Sequence, residues 1–144
     1  MANDFFSAMN ISASGLAAER TRVNLATSNL ANAESTRGPD GKVYKRQDPV
    51  LEAASFSNEM SGALGSGGEL GVKVSRIVED QSEGRRVYSP GHPDADGDGF
   101  ITLPNVNPVH EVVNLMTAQR GYDANATAVE TLKTMAGRAL DIAK

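Results

Sequence analysis

Met9, Leu16, Val23 and Leu30 recur every seven residues, while the interleaved positions Ser12, Glu19, Ala26 and Ala33 are half apolar. This narrow seam is closer to a coiled-coil pattern than to the broad apolar face of a globular helix. The segment from Asn3 to Ala33 contains no proline and one glycine, Gly15, so the pattern predicts one long helix. Asn29, Asn32 and the run Arg37-Gly38-Pro39-Asp40-Gly41 supply its stop.

A second seam runs along the other end of the chain. Leu115, Ala118, Tyr122, Asn125, Val129, Leu132, Ala136, Ala139 and Ala143 alternate in steps of three and four, and only Asn125 is polar. Asn105 or Asn107 can cap this helix, with Pro108 in its first turn. A helix of that span would extend roughly 50 Å, longer than a small globule needs.

Between the seams the pattern changes. Residues 38–104 hold eleven of the fourteen glycines and five of the six prolines. Leu70, Val72, Val74 and Val78 alternate with polar residues and predict a half-buried strand. Val43-Tyr44-Lys45-Arg46 and Arg85-Arg86-Val87-Tyr88 are weaker strand candidates. Residues 61–71 read as a Gly-rich flexible loop. The expected fold is mainly α with a small β insert (α+β). Helical segments at 1–35 and 105–144 pair as an antiparallel coiled coil, and 36–104 forms short strands and loops.

Composition sharpens this picture. Aromatic residues make up 5% of the 144, there is no Trp, and much of the 40% apolar content is alanine. Large side chains supply most of the burial free energy, roughly 25 cal/mol per Å². The chain therefore builds a thin core and is expected to lean on neighbouring chains. A net charge of −4 without a basic stripe argues against nucleic acid as a partner. The absence of cysteine removes disulfides, thiolate metal sites and a Cys nucleophile. No apolar run is long enough to span a bilayer, so direct membrane insertion is not expected. The start Met-Ala-Asn-Asp-Phe-Phe lacks a cationic n-region and a continuous apolar stretch, so no cleaved secretory signal is expected.

Three stretches carry a resemblance. Ser14-Gly15-Leu16-Ala17-Ala18 followed by Asn24-Leu25-Ala26-Thr27-Ser28-Asn29-Leu30-Ala31-Asn32 resembles the N-terminal motif of the flagellar axial (rod and hook) proteins. Asn105-Val106-Asn107, then Glu111-Val112-Val113-Asn114-Leu115-Met116 and Ala118 to Asn125, resembles their C-terminal motif. The stretch from Val87 through Ser89-Pro90-Gly91-His92-Pro93-Asp94 to Val106 is similar to a signature of the short proximal-rod members. Gly121 departs from the family habit of a better helix former at that place.

The resemblance implies a structural subunit of the basal-body rod that polymerises into the drive shaft across the periplasm. It implies as partners further copies of itself, other proximal and distal rod subunits, the adaptor between membrane ring and rod, and the flagellar type III export apparatus with its chaperones. No enzyme activity and no cofactor are expected. The interface residues expected from the seams are Met9, Leu16, Val23 and Leu30 with Leu115, Tyr122, Asn125, Val129 and Leu132. Asn125 is either a register device in the seam or a solvated edge residue.

One competing reading rests on Asp94-Ala95-Asp96-Gly97-Asp98-Gly99, which looks like the first half of a calcium loop. Its twelfth position is Asn105 rather than a bidentate Glu, and an Asp/Gly turn explains the same residues. His92 and His110 are the only histidines; neither has the setting of a catalytic base.

Overall fold

A computed structural model of the chain describes residues 2–38, 40–55 and 70–142. Helix α1 spans Ala2–Ala31 and helix α2 spans Pro108–Ile142. Between them lie β1 (Gln47–Ser55), β2 (Leu70–Glu79), β3 (Arg85–Tyr88) and β4 (Phe100–Leu103). Strands β1 and β2 pair in one two-stranded sheet, β3 and β4 in another. The chain is thus mainly helical with a small β insert, as the patterning predicts.

The middle differs in detail. Val43–Arg46 is not a strand; the strand begins at Gln47 instead. Asp48, Pro49, Glu52 and Ala53 are weak strand formers, so β1 exists by virtue of its pairing with β2 rather than by propensity. Strand β2 covers the predicted Leu70–Val78 alternation, but Val72 and Val78 are exposed rather than half-buried. Strand β4 follows the Asp/Gly turn directly and pairs with β3 in the register Arg85–Leu103 to Tyr88–Phe100. Most of the Gly-rich stretch, 56–69, lies outside the described residues.

Helix α2 starts at the second of the two candidate caps. The Asn107 side chain accepts from the Val109 amide at 3.0 Å, and its carbonyl accepts from Glu111 N at 3.1 Å. Pro108 takes the first helical position, where its missing N–H costs nothing.

The chain divides into two units. One comprises 1–21, 50–76 and 117–144. Its most covered residues are Ala18 and Ala118. The other comprises 22–49 and 77–116. Leu25, Ala26, Ala33, Ile101 and Leu103 form its small apolar core. Ile101 and Leu103 are alternate residues of β4 and so share one face of the β3–β4 hairpin.

Candidate functional site

The second unit has a buried polar cluster at its centre. Asn29 and Glu111 are each 1% exposed, the most deeply buried large side chains described. Asn29 stands on the last turns of α1, and Glu111 on the first turn of α2. Asn29 Nδ2 donates to Glu111 Oε2 at 3.1 Å and to the Gln47 carbonyl at 2.9 Å. Asn29 Oδ1 accepts from the Gln47 amide and the Tyr44 hydroxyl, both at 2.9 Å. The amide therefore makes four hydrogen bonds, its full capacity. Two of them grip the backbone of Gln47 from both sides, as a neighbouring strand would, where β1 begins.

Glu111 Oε1 accepts from Arg46 Nε at 2.6 Å. Arg46 Nη1 also meets Asp48. Burial alone would lower the Arg46 pKa, but the hydrogen bond it donates to Glu111 and the charges of Asp48 and Glu111 outweigh it and raise the pKa above the ordinary arginine value. The Arg46 guanidinium is therefore firmly charged. Its backbone is fixed as well: Arg46 N donates to Asn105 Oδ1 at 2.9 Å, and its carbonyl accepts from Asp80 N at 2.8 Å. Asn105 Nδ2 closes the circuit by donating to Ser82 Oγ at 3.0 Å and to Asp80 O at 3.3 Å. Asn105 is thus a tie to the β insert rather than the helix cap.

This arrangement holds the end of one terminal helix, the start of the other and the β insert together by polar contacts. Its groups bond to each other, which makes it a mechanical joint. The sequence pattern marked Asn29 as a helix end and Glu111 only as part of a motif. Their meeting depends on residues 82 positions apart, which no local spacing reveals.

The Asp-rich loop does different work from a calcium loop. Asp96 Oδ1 accepts from the amides of Phe100 (2.8 Å) and Asp98 (3.1 Å), and its Oδ2 accepts from Arg86 at 2.8 Å. Asp94 Oδ2 accepts from Thr36 Oγ1 at 2.8 Å, and Arg37 lies 3.4 Å from its Oδ1. His92 Nδ1 accepts from the Asp94 amide at 3.1 Å. The Asp94 and Asp96 carboxylates point to separate protein partners. No group of three or more His, Cys, Asp or Glu able to hold a metal ion occurs among the described residues. The loop is an Asx-type turn feeding β4, and the calcium reading loses its support. Gly99 completes the turn at φ +82°, where a Cβ would also meet the Tyr88 ring at 3.0 Å.

The Phe100 amide, helped by the Asp98 amide and Arg86, pulls the Asp96 pKa below the ordinary 3.8 against an opposing desolvation. A carboxylate with a depressed folded pKa contributes stability above its unfolded pKa, and that stability is lost as pH falls through the folded value. Hydrogen exchange at Asp98 and Phe100 is thus expected to be pH-independent in protection from neutral down to about pH 5. Protection falls below the ordinary carboxylate range, and Asp96→Asn removes that acid step. An unchanged acid step in the variant would assign it to another group.

The seam residues are placed as follows. Met9, Leu16, Val23, Leu30, Leu115, Asn125, Val129 and Leu132 are half-buried, and Tyr122 is exposed. In the first unit the helices meet through glycine. A Cβ on Gly15 would stand 2.9 Å from Asn125 Nδ2, and one on Gly121 would stand 3.0 Å from Glu19 Cδ. As α1 advances from 15 to 19, its neighbour on α2 steps back from 125 to 121, so the helices run in opposite directions there. Phe6, Tyr88, Val109, Met135 and Leu140 are each more than half exposed. No described helix is long and apolar enough to cross a membrane.

Comparison with known proteins converges on one group. The family described as flagella basal body rod protein matches residues 9–39, and the flagellar basal body rod FlgEFG protein C-terminal family matches 98–142. The flagellar basal-body rod protein FlgC of Salmonella typhimurium is 41% identical over 126 residues, covering 88% of each chain. That of Bacillus subtilis is 40% identical over 147 aligned positions, covering 96% of this chain and 98% of its own. That of Aquifex aeolicus is 39% identical over 138, covering 96% of each.

Proposed function

The chain belongs to the FlgC family of flagellar basal-body rod proteins and is a structural subunit of the rod; from that premise we propose that it sits in the proximal rod and polymerises into the shaft that carries torque across the periplasm. The observation that carries this reading is the inverted distribution of apolar side chains. Among the described residues only Leu25, Ile101 and Leu103 are large members of the buried hydrophobic set, the rest being alanines, while Phe6, Tyr88, Val109, Met135 and Leu140 are exposed. On this reading, contacts with other proteins cover those exposed apolar side chains. Subunits whose faces are not self-matching join head to tail, and where the rotation between them does not close the product is an open helix.

On this reading α1 and α2 form an antiparallel coiled coil. Met9, Leu16, Val23, Leu30, Leu115, Tyr122, Asn125, Val129 and Leu132 contribute to its packing and to contacts with neighbouring subunits. Those neighbours are further copies of the chain, other proximal and distal rod subunits and the adaptor that joins rod to membrane ring. The chain leaves the cell interior through the flagellar export apparatus. A thin core suits such passage, because little has to be unfolded.

Electron microscopy of cell envelopes from a strain lacking this gene tests the assignment. Membrane rings without rod or hook, restored by complementation, support it; complete flagella built without the gene refute it. The helix ends carry a further expectation. Removing residues 125–144 takes Asn125, Val129 and Leu132 with it and is expected to abolish rod assembly, read as loss of hooks and of swimming. Normal rods from that truncation would sink the role given to the C-terminal seam.

A further inference from the structure

Each terminal helix carries a glycine followed one turn later by a polar residue, and the two pairs meet head to tail. On α1 these are Gly15 and Glu19; on α2 they are Gly121 and Asn125. Asn125 lies on Gly15, with Nδ2, Oδ1 and Cγ at 2.9, 3.0 and 3.1 Å from where a Cβ would be. Glu19 lies on Gly121 in the same way, with Cδ, Oε1 and Cγ at 3.0, 3.1 and 3.2 Å. We infer that this reciprocal exchange, polar knob into glycine hole in both directions, sets the register of the two terminal helices. The inference rests on the antiparallel pair proposed above.

The lock is stiff on one side. Asn125 Nδ2 donates to the carbonyl of Gly121 at 2.9 Å, one turn back on its own helix. The same glycine therefore anchors the Asn125 rotamer through its carbonyl and admits Glu19 over its Cα. Asn125 can leave Gly15 only by giving up that hydrogen bond. Helix packing around the site is close, with Ala18 4% and Ala118 0% exposed.

Other registers fail by sterics. A slip of one turn in one direction sets Gly15 against Val129 and brings Asn125 onto Glu19. A slip in the other direction sets Gly15 against Gly121, leaving a void, and drives Asn125 into Ile11. Seams built mostly of alanine and small aliphatics discriminate poorly between registers, since every slip pairs similar surfaces. A polar residue in a seam discriminates better, because a misplaced one loses its packing and hydrogen bonding. This gives Gly121 a purpose: alanine would strengthen the isolated helix, but it would fill the hole that receives Glu19.

Because the chain has no cysteine, the register can be read by paired cysteines in basal bodies isolated from cells making the full-length chain. Ala8 lies seven residues before Gly15, and Leu132 lies seven after Asn125. Ala8→Cys with Leu132→Cys is therefore in register, while Ala8→Cys with Ala128→Cys or with Ala136→Cys reports a slip of one turn. Disulfides form only when the Cβ atoms come within about 4.5 Å, so neighbouring turns are resolved. The expected result is an intrachain disulfide in the first pair alone. Equal yields from all three, or a product from a slipped pair only, would overturn the inference.

A swap provides the second measurement. Gly15→Asn alone places two amides in one hole and is expected to lose swimming. Gly15→Asn combined with Asn125→Gly rebuilds the knob and hole in the opposite sense and is expected to recover it. A swap as defective as the single variant would overturn the lock. Failure of the rod assignment itself would appear separately, as complete flagella in the strain lacking the gene.

Discussion

Replacing Arg46 by methionine is expected to destabilise the 22–49 and 77–116 unit by about 3–5 kcal/mol, the cost of stranding a buried partner of an ion pair. Glu111 is 1% exposed, and its Oε1 is met by Arg46 Nε at 2.6 Å. Methionine fills much of the same volume but leaves that oxygen facing apolar atoms. The carboxylate would keep only the Asn29 amide. Glu111→Gln is expected to cost less, about 1–3 kcal/mol, because the Arg46 side chain is 21% exposed, keeps Asp48 and can turn toward water. The pair should couple: Arg46→Met with Glu111→Gln leaves no buried unpaired charge, since Asp48 is exposed to water, and recovers part of the loss. Denaturant unfolding and hydrogen exchange at Tyr44, Gln47 and Glu111 give the measurement. Additive losses would mean that the two side chains act independently.

The same cluster shows what could and could not be read from the chain alone. The terminal helices were legible because period and composition agree: heptad-spaced apolar residues, no internal proline and an Asn-Pro start. Asn29 lay in plain view as a helix-end residue, but its function comes from Gln47, Tyr44 and Glu111, which reach it only through the fold. Strand β1 was displaced by four residues because Val43–Arg46 has the better propensity. In the structure Tyr44 and Arg46 serve the polar joint instead, and the ladder starts where the Asn29 amide grips Gln47. The β4 strand was hidden behind the Asp/Gly turn, whose carboxylate pattern suggested a cation. Thr36, Arg37, Arg86 and the Asp98 and Phe100 amides meet the Asp94 and Asp96 carboxylates, and of these only the two amides lie within the pattern's own reach.

These details bear on how a thin-cored subunit keeps a defined shape. Among the described residues only Leu25, Ile101 and Leu103 are large buried apolar side chains, so apolar burial alone specifies little. The polar joint adds direction: Asn29 is satisfied only if Tyr44, Gln47 and Glu111 arrive together. Breaking any of these contacts leaves buried groups unpaired. The unit therefore holds its geometry by satisfied hydrogen bonds rather than by mass of core.

Gly84→Ala is expected to disrupt the β3–β4 hairpin, with a loss at or above the 1–3 kcal/mol usual for overpacking. A Cβ at this position would overlap the carbonyl oxygen of Leu103 and stand 3.3 Å from its carbonyl carbon. The obstacle is backbone, and it belongs to the last residue of β4, which pairs with Arg85 at the first position of β3. No rotamer change can relieve it. Either the strands separate at this end or Leu103 moves out of its buried site, and Asn105, two residues on, is pulled from Arg46 N, Asp80 and Ser82. Gly97→Ala is the matched control, since nothing lies within 4 Å of its Cβ position. Hydrogen exchange should show lost protection across Arg85–Tyr88 and Phe100–Leu103 in Gly84→Ala alone. The effect should spread to the Arg46 amide, because Asn105 joins the hairpin's end to the polar joint. If Gly84→Ala exchanged like Gly97→Ala, the close approach at Leu103 would not be a constraint on this fold.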